Sequence, residues 1–409
     1  MSNYSSYLIG KCVTYSYSKI IHEAFGLVSY NLKALNEEDL ISFINNKAYA
    51  FCNITNPYKE IVVKLLDKKD ISVDATGVCN LIINNNNELI GYNTDYLGFL
   101  ETLEYDIKDK TVLILGTGCT SKSITQALKE KQARTILFAT RSNTNKMNNI
   151  YNYQDLKDIA HIVQVIINTT PNGTSGFNDD TLLNIKEYPK LEFVYDCVYN
   201  PYRTNLLMNL NKSIKFQNGL KMLIYQAWLS EKIYSNIYIK KEIPKLNNNI
   251  YTKLINITLI GMPSSGKTTI GKLLSNIYHK DFIDTDKEIE KIHNIKINEY
   301  LNKTNESTFR KMEEEYILNL NVHNMIISTG GGMVLNKTIM NYLKKYSIII
   351  YLDKEQEELT LDNNHPLITS KEELIKTYQD RINLYKEYAD YIIHNQDINS
   401  TIKKIQEII

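Results

Sequence analysis

The chain carries two glycine-rich loops of different kinds, and each constrains the fold of the segment around it. The first, GTGCTS at residues 116–121, follows the apolar run TVLIL and precedes the helical pattern KSITQALKEK. The second, GMPSSGKT at residues 261–268, follows ITLI and precedes another helical pattern. A loop between a buried strand and a helix can bind phosphate through backbone N–H groups and the helix N-terminus. The chain is therefore predicted to be an α/β protein with two nucleotide-binding units.

Length and charge narrow the class of protein further. The 409 residues exceed what one hydrophobic core usually organises, so two to three domains are expected. A net charge of +1 provides no long-range field for nucleic acid or for an anionic membrane. No apolar run approaches the roughly 20 residues of a membrane span, and the N-terminus has no signal-peptide pattern. Neither nucleic acid nor membrane is expected as a partner, and a cytoplasmic location is predicted; the sequence does not define the oligomeric state.

The first glycine loop predicts a Rossmann-type dinucleotide site. Its first glycine permits the tight turn, its second lets the backbone approach a pyrophosphate, and the small Ser121 lets helix and strand pack closely. The next strand ends at Arg141, where an NAD site would carry an acidic residue, and arginine suits the 2′-phosphate of NADP. The alternative is that Arg141 is an ordinary exposed residue. The predicted cofactor-binding residues are Gly116, Gly118, Cys119, Thr120, Ser121, Thr140, Arg141 and Ser142.

The second loop matches the pattern GxxxxGK[ST] of a P-loop. In such a loop the lysine, here Lys267, reaches the β- and γ-phosphates, and the following hydroxyl, here Thr268, holds Mg²⁺. ATP and Mg²⁺ are therefore predicted ligands of the second unit. The predicted nucleotide-binding residues are Gly261, Ser264, Ser265, Gly266, Lys267, Thr268 and Thr269.

A series of polar motifs between residues 5 and 235 resembles the shikimate dehydrogenase family. The motifs are SYS from Ser16, NITNPYK from Asn53, NTD from Asn93, NTTPNG from Asn168, DCVYNP from Asp196 and KMLIYQ from Lys221. The resemblance implies NADPH-dependent reduction of 3-dehydroshikimate to shikimate. It makes Lys59 the acid/base with Asp95 as its partner, and implies a substrate pocket of Ser16, Ser18, Asn53, Thr55, Asn80, Tyr199 and Gln226.

The chemistry of these residue types suits the implied reaction. Reducing a ketone with hydride leaves an alkoxide that must be protonated, and a lysine beside an aspartate can donate that proton. Burial is expected to lower the pKa of Lys59. Two alternatives stay open: Lys59 and Asp95 could form an ordinary surface ion pair, and the enzyme could act on a quinate-type polyol.

Residues 255 to about 395 resemble the shikimate kinase family. The motifs are FIDTD from Phe282, FRKME from Phe309, STGGG from Ser328 and the pair Asp380-Arg381. The resemblance places Asp284 on the Mg²⁺ side and makes Asp286 the base for the substrate hydroxyl. It also implies a carboxylate site of Arg310, Arg381, Gly331 and Gly332, with Lys267 and Asp286 as catalytic residues.

One position departs from the kinase pattern. The family's lid carries an arginine before Pro-Leu, and this chain has His365 there. A histidine near neutral pH is only partly charged, and loss of such an arginine can slow phosphoryl transfer roughly 10³-fold. The alternative to a bifunctional enzyme is thus an active dehydrogenase with a weak or inactive kinase-like binding module.

The predicted organisation is a shikimate dehydrogenase-like two-domain unit followed by a P-loop α/β domain of the nucleoside-monophosphate-kinase type. Residues 1–100, completed by 220–238, form the α/β substrate domain, and 101–219 form the Rossmann NADP domain. Residues 239–253, which contain proline and consecutive asparagines, are predicted as a linker, and 254–409 as the kinase domain. The predicted cofactors are NADP(H), ATP and Mg²⁺, and the predicted partners are the small molecules 3-dehydroshikimate and shikimate.

Overall fold

The computed structural model describes residues 5–14, 16–27, 29–141, 148–180, 182–238, 248–303, 305–355, 359 and 370–409. By their internal contacts the residues separate into two units, Met1–Ile250 and Tyr251–Ile409. The first unit contains two six-stranded sheets and the second unit contains one five-stranded sheet. The observed mixture of sheets and helices confirms the predicted α/β class.

The first sheet of the first unit is mixed. Its strands are β1 (Ser6–Gly10), β2 (Tyr30–Ala34), β3 (Phe51–Ile54), β4 (Lys68–Lys69), β5 (Leu81–Asn85) and β6 (Glu88–Tyr92). They lie in the order β2-β1-β3-β5-β6-β4, and β5 runs antiparallel to both β3 and β6. The turn between β5 and β6 has positive φ at Asn86 (52°) and Asn87 (69°), which asparagine tolerates better than most residues. The asparagines at residues 86 and 87 thus suit the hairpin turn that joins β5 to β6.

The second sheet has the doubly wound order expected of a dinucleotide-binding domain. Its strands are β7 (Thr111–Leu115), β8 (Thr135–Thr140), β9 (Ile150–Asn152), β10 (Val165–Asn168), β11 (Phe193–Asp196) and β12 (Lys215–Asn218). All neighbours pair in parallel, in the order β12-β11-β10-β7-β8-β9. Along β7, Val112 and Ile114 enter one hydrophobic cluster while Leu113 and Leu115 enter another. A parallel sheet buried on both faces requires such a continuous apolar run.

Seven helices accompany these sheets in the described part of the first unit. They are α1 (Ser18–Phe25), α2 (Glu37–Asn46), α3 (Ile71–Thr76), α4 (Thr94–Thr102), α5 (Cys119–Glu130), α6 (Asn205–Met208) and α7 (Leu220–Tyr238). Helix α7 follows the last strand of the second sheet but packs against α1 and α4 of the N-terminal part. The chain therefore returns to the N-terminal part of the unit after the second sheet.

The bend into α7 depends on Gly219. A Cβ atom at Gly219 would lie 2.2 Å from the carbonyl oxygen of Cys197, closer than any real contact. We therefore expect Gly219→Ala to lower the free energy of unfolding of the first unit by about 2–4 kcal/mol, because the backbone must move apart. Thermal unfolding followed by calorimetry measures this change. Gly118→Ala, where a Cβ would meet nothing within 4 Å, is the matched control, and equal melting temperatures for the two variants would contradict the prediction.

The second unit is a three-layered α/β domain built on a parallel sheet. Its strands are β13 (Ile257–Ile260), β14 (Asp281–Asp284), β15 (Met325–Ser328), β16 (Ile348–Asp353) and β17 (Tyr391–His394), in the order β14-β15-β13-β16-β17. Its helices are α9 (Lys267–Tyr278), α10 (Thr285–His293), α11 (Ile297–Lys303), α12 (Glu306–Leu318), α13 (Lys337–Tyr346), α14 (Lys371–Tyr388) and α15 (Ile398–Ile408). The central strand β13 runs directly into the P-loop, as the sequence predicted.

The segment predicted as a linker is partly helical. Residues 239–247 lie outside the described residues, but Asn248–Leu254 form helix α8. Ile250 and Leu254, spaced one helical turn apart, are both buried. These two residues form an apolar face on the helix. The spacing was present in the sequence, but the neighbouring asparagines favoured the prediction of a linker. In the described part of the chain, every helix is too short or too polar to cross a bilayer.

Candidate active sites

A cavity of about 390 Å³ in the first unit gathers the residues predicted from its polar motifs. Helix α1 contributes Ser18, strand β3 contributes Asn53, and helices α4 and α7 contribute Asp95 and Gln226. The predicted residues that line this cavity are Ser16, Ser18, Asn53, Thr55, Lys59, Asn80, Asp95, Tyr199 and Gln226, together with Gly116, Gly118, Cys119, Thr120 and Arg141 of the predicted cofactor site. The predicted substrate-binding residues and the predicted cofactor-binding residues therefore line the same cavity.

Lys59 and Asp95 form a close ion pair within this cavity. Lys59 Nζ lies 2.6 Å from Asp95 Oδ2, and the two side chains are only 12% and 13% exposed. Burial by itself would lower the pKa of Lys59, but the charge and hydrogen bond of Asp95 outweigh it, so the pKa lies above its ordinary value. The expectation of a lowered pKa is therefore wrong. Lys59 is a cation at neutral pH, which is the form that can donate a proton.

The amides of the pocket are held by buried residues that the sequence did not single out. Asn53 Nδ2 donates to Ser230 Oγ at 2.9 Å, and its Oδ1 accepts from the Tyr30 hydroxyl at 2.9 Å. Asn80 Nδ2 donates to Thr94 Oγ1 at 2.9 Å. Ser230 lies one helical turn after Gln226 on α7, and that spacing was the available signal. No sequence signal identified Tyr30, because strand β2 contains no recognisable motif.

Two serines, Ser16 and Ser18, lie side by side in the wall of the cavity. Ser16 Oγ donates to Ser18 Oγ at 3.0 Å, and the Tyr199 hydroxyl donates to Ser16 Oγ at 3.5 Å. Ser18 is the first residue of α1, so the serines lie beside a helix N-terminus, whose partial positive charge favours anions. Hydroxyl donors at such a position suit a carboxylate.

Glu60 connects the segment that contains Lys59 to helix α5. Its Oε1 lies 3.0 Å from Lys122 Nζ and accepts from Cys119 Sγ at 3.2 Å. Glu60 follows Lys59 in the chain, whereas Cys119 and Lys122 belong to the first turn of α5. The segment that carries Lys59 is therefore bonded directly to the helix that begins at the glycine loop.

The glycine loop has the geometry that a dinucleotide requires. Gly116 has φ of 101°, and a Cβ there would lie 2.9 Å from Thr169 Oγ1. Gly118 is the N-cap of α5, and Ser121 in the first turn of this helix is buried. Arg141 follows β8 and lines the cavity, while Thr140 is buried in that strand and Ser142 lies outside the described residues. Free N–H groups at the start of α5 and the guanidinium of Arg141 fit NADP(H).

The P-loop of the second unit is stabilised by its own lysine and by β17. Lys267 Nζ donates to the carbonyl oxygens of Gly261 (2.9 Å) and Met262 (2.7 Å). Burial lowers the pKa of Lys267 to about 8. Asn395 Nδ2, just after β17, donates to Ser265 O at 2.7 Å, a contact with no motif to predict it. Ser264 and Gly266 have φ of 60° and 92°, so the backbone of the predicted phosphate-binding loop is left-handed at these two residues. Thr269 follows the loop and belongs to α9.

The predicted Mg²⁺ residues lie together. Thr268 Oγ1 donates to Asp284 Oδ2 at 2.7 Å, which brings the start of α9 to the end of β14. A hydroxyl and a carboxylate beside a phosphate loop are the hard oxygen donors that Mg²⁺ prefers, so the residues fit this ion.

Asp286 lies beside the glycine triad of residues 330–332. A Cβ on Gly330 would lie 2.4 Å from Asp286 Oδ1, so only glycine leaves room for this carboxyl group. Burial and the neighbouring charge of Asp284 raise the pKa of Asp286 to about 6, although Lys267 and Arg310 oppose the shift. A carboxylate with a pKa near neutrality is suited to accept a proton.

Two arginines and a tyrosine surround the other two glycines. Arg310 Nη1 donates to Glu313 Oε2 at 2.7 Å, and the guanidinium occupies the space that a Cβ on Gly332 would fill. Arg381 Nη1 (3.0 Å) and the Tyr385 hydroxyl (2.5 Å) both donate to the carbonyl oxygen of Gly331. The sequence singled out the N–H groups of these glycines as donors; the Gly331 carbonyl as an acceptor went unforeseen. His365, on which the lid prediction rests, lies outside the described residues.

These sites define a nicotinamide-dinucleotide-dependent dehydrogenase joined to a P-loop phosphotransferase. Residues 263–409 match the family model described as "Shikimate kinase". A Shikimate dehydrogenase (NADP(+)) of Clostridium botulinum is 34% identical over 243 residues, 55% of this chain and 94% of the relative. One of Caldicellulosiruptor bescii is 30% identical over 279 residues, 62% of this chain and 94% of the relative.

A solved structure supports the same assignment. The chain resembles a chorismate mutase/shikimate 5-dehydrogenase fusion protein from Clostridium acetobutylicum with a TM-score of 0.52 and 30% identity, covering 57% of this chain and 92% of that one. The chain belongs to the shikimate dehydrogenase family, with a shikimate kinase domain fused to its C-terminal side.

Proposed function

We propose that this chain catalyses two consecutive reactions, the reduction of 3-dehydroshikimate to shikimate with NADPH and the phosphorylation of shikimate with ATP. The observation that carries the first is the buried Lys59–Asp95 pair in one cavity with the glycine loop. The second rests on a P-loop with Asp286 and Arg310 gathered at one glycine triad. The product of one unit is the substrate of the other, which explains why one chain carries both.

The residues of the first unit divide the work of ketone reduction. Ser16 and Ser18 bind the carboxylate, and Asn53, Thr55 and Asn80 bind ring hydroxyls, with Gln226 and Tyr199 completing the pocket. NADPH, when bound at residues 116–121 and Arg141, supplies the hydride. As the carbonyl carbon accepts that hydride, its oxygen gains negative charge and takes the proton from Lys59 Nζ. Asp95 holds the ammonium in place and keeps it protonated beforehand.

The second unit transfers a phosphoryl group to a hydroxyl. Arg310 and Arg381, with Gly331 and Gly332, bind the substrate carboxylate, and Asp286 accepts the hydroxyl proton. Lys267 stabilises charge on the β- and γ-phosphates. Thr268 and Asp284 would hold Mg²⁺, which would supply further positive charge beside the phosphates. A cytoplasmic site of action is part of this proposal.

Product analysis by mass spectrometry tests both reactions in one experiment. The protein is mixed with 3-dehydroshikimate, NADPH and Mg-ATP, and the mixture is repeated with NADH. Shikimate 3-phosphate, formed faster with NADPH, is the expected product. Accumulation of shikimate alone would restrict the function to the dehydrogenase and favour the alternative of an inactive kinase-like module. Untouched 3-dehydroshikimate would contradict the proposal for the first unit.

The kinase reaction is expected to have a bell-shaped pH profile. Asp286 accepts a proton only when ionised, so kcat/KM should fall about tenfold per pH unit below its pKa of about 6. Lys267 loses its charge as pH rises through its pKa of about 8 in the free protein, so kcat/KM should fall again above this value. Rates at subsaturating shikimate and ATP between pH 5 and 9 measure both limbs. A value of kcat/KM that stays constant from pH 7 down to pH 5 would exclude Asp286 as a base with this pKa.

A further inference from the structure

Arg310 is held by two carboxylates that differ in exposure. Its Nη1 donates to Oε2 of Glu313, which is only 1% exposed. Its Nε (3.1 Å) and Nη2 (2.6 Å) both donate to a single oxygen, Oε1 of Glu306, whose side chain is 46% exposed. Glu313 therefore fixes the guanidinium from the buried side, and Glu306 contacts it from the open side.

The edge that Glu306 occupies is the one a ligand carboxylate would use. An arginine binds a carboxylate best through two parallel hydrogen bonds, one to each oxygen. Nη1 is already engaged with the buried Glu313, and one face of the guanidinium lies against Gly332. The edge formed by Nε and Nη2 remains for side-on bidentate binding. Glu306 uses this edge with one oxygen only, a weaker arrangement than a bidentate pair.

We propose that Glu306 stands in for the substrate carboxylate on Arg310 and must leave when a carboxylate ligand binds. The inference rests on the proposed kinase function and assigns Glu306 a role in setting affinity through Arg310. Binding exchanges one carboxylate for another on the same guanidinium, so the net gain is smaller than for a free arginine. Glu306 is the first residue of α12, after the N-cap Asn305, and its exposure gives it room to turn toward solvent.

Glu306→Gln tests this proposal, because glutamine keeps the size of the side chain but removes its charge. Shikimate binding is measured by calorimetry on the full chain carrying Ser16→Ala and Ser18→Ala, which weaken binding in the first unit. The expected result is tighter binding of shikimate by about two- to fivefold, the range for an exposed ion pair. Binding of the neutral methyl ester should not change. Glu315→Gln, an exposed carboxylate on the same helix, is the matched control.

Each outcome decides a different point. Unchanged or weaker binding of shikimate in Glu306→Gln overturns the inference, since Glu306 would then be irrelevant or would position Arg310. Equal tightening for the acid and the ester also overturns it, because the effect would not depend on the ligand charge. In an Arg310→Ala background the Glu306 substitution should have no effect. If Arg310→Ala itself leaves shikimate binding unchanged, the carboxylate site of the proposed kinase function is overturned instead.

Discussion

Lys59→Ala is expected to lower the rate of 3-dehydroshikimate reduction about 10²–10⁴-fold, the usual contribution of a positioned general acid. In the proposed mechanism the ammonium of Lys59 protonates the developing alkoxide, and its 2.6 Å contact with Asp95 positions it. Phosphorylation of added shikimate by the same protein should stay within twofold of the parent. NADPH consumption and ADP release, measured on one preparation, report the two reactions separately.

Two further variants, Lys64→Ala and Asp95→Asn, serve as controls for this experiment. Lys64 is exposed and five residues further along the chain, so Lys64→Ala should change neither activity. Burial lowers the pKa of Lys59, and Asp95→Asn removes the charge that mainly opposes this effect, so the pKa of Lys59 should fall. The rate of reduction in Asp95→Asn should therefore decline at a lower pH than in the parent. An unshifted profile, or loss of both reactions in folded Lys59→Ala, would argue against Lys59 as the proton donor.

Lys267→Met is expected to lower phosphoryl transfer at least about 10²–10³-fold, because the P-loop then lacks the cation that stabilises the phosphates. Methionine fills the volume of the buried lysine stem without its charge, and the carbonyls of Gly261 and Met262 lose their donor. Release of ADP in the presence of shikimate measures the effect. The reduction of 3-dehydroshikimate serves as an internal control for folding of the first unit.

The control for this variant lies on the same helix. Lys272 is exposed on α9, five residues after Lys267, so Lys272→Met should keep full kinase activity. Calorimetry must show that Lys267→Met melts near the parent protein. A folded Lys267→Met variant with undiminished ADP release would mean that the P-loop lysine does not take part in transfer.

Sequence patterns predicted the parts of the fold that depend on local backbone rules. Both glycine loops connect a buried strand to a helix. At Gly116 and Gly261 the backbone has positive φ and neighbouring atoms lie where a Cβ would be, so these positions favour glycine. The hairpin at Asn86 and Asn87 follows from the same tolerance for positive φ. Local rules of this kind need no knowledge of distant residues.

What the sequence missed depends on contacts between distant segments. Tyr30 and Ser230 hold Asn53 from opposite ends of the first unit, and Asn395 supports the P-loop from 130 residues away. The predicted direction of the pKa shift of Lys59 was wrong for a related reason. Burial and a neighbouring charge act in opposite directions, and only the distance to Asp95 decides which is larger.

The return of α7 to the first sheet has a consequence for synthesis of the chain on the ribosome. Gln226 and Ser230 belong to the pocket that begins at Ser16, so the pocket stays open until residue 230 and beyond have left the exit tunnel. The second sheet, by contrast, is complete at Asn218. The dinucleotide-binding domain can therefore form before the substrate domain whose first residues were translated earlier. A gene fragment that ends at residue 219 encodes a cofactor domain beside an unfinished pocket, whereas one that ends after Tyr238 encodes the whole pocket.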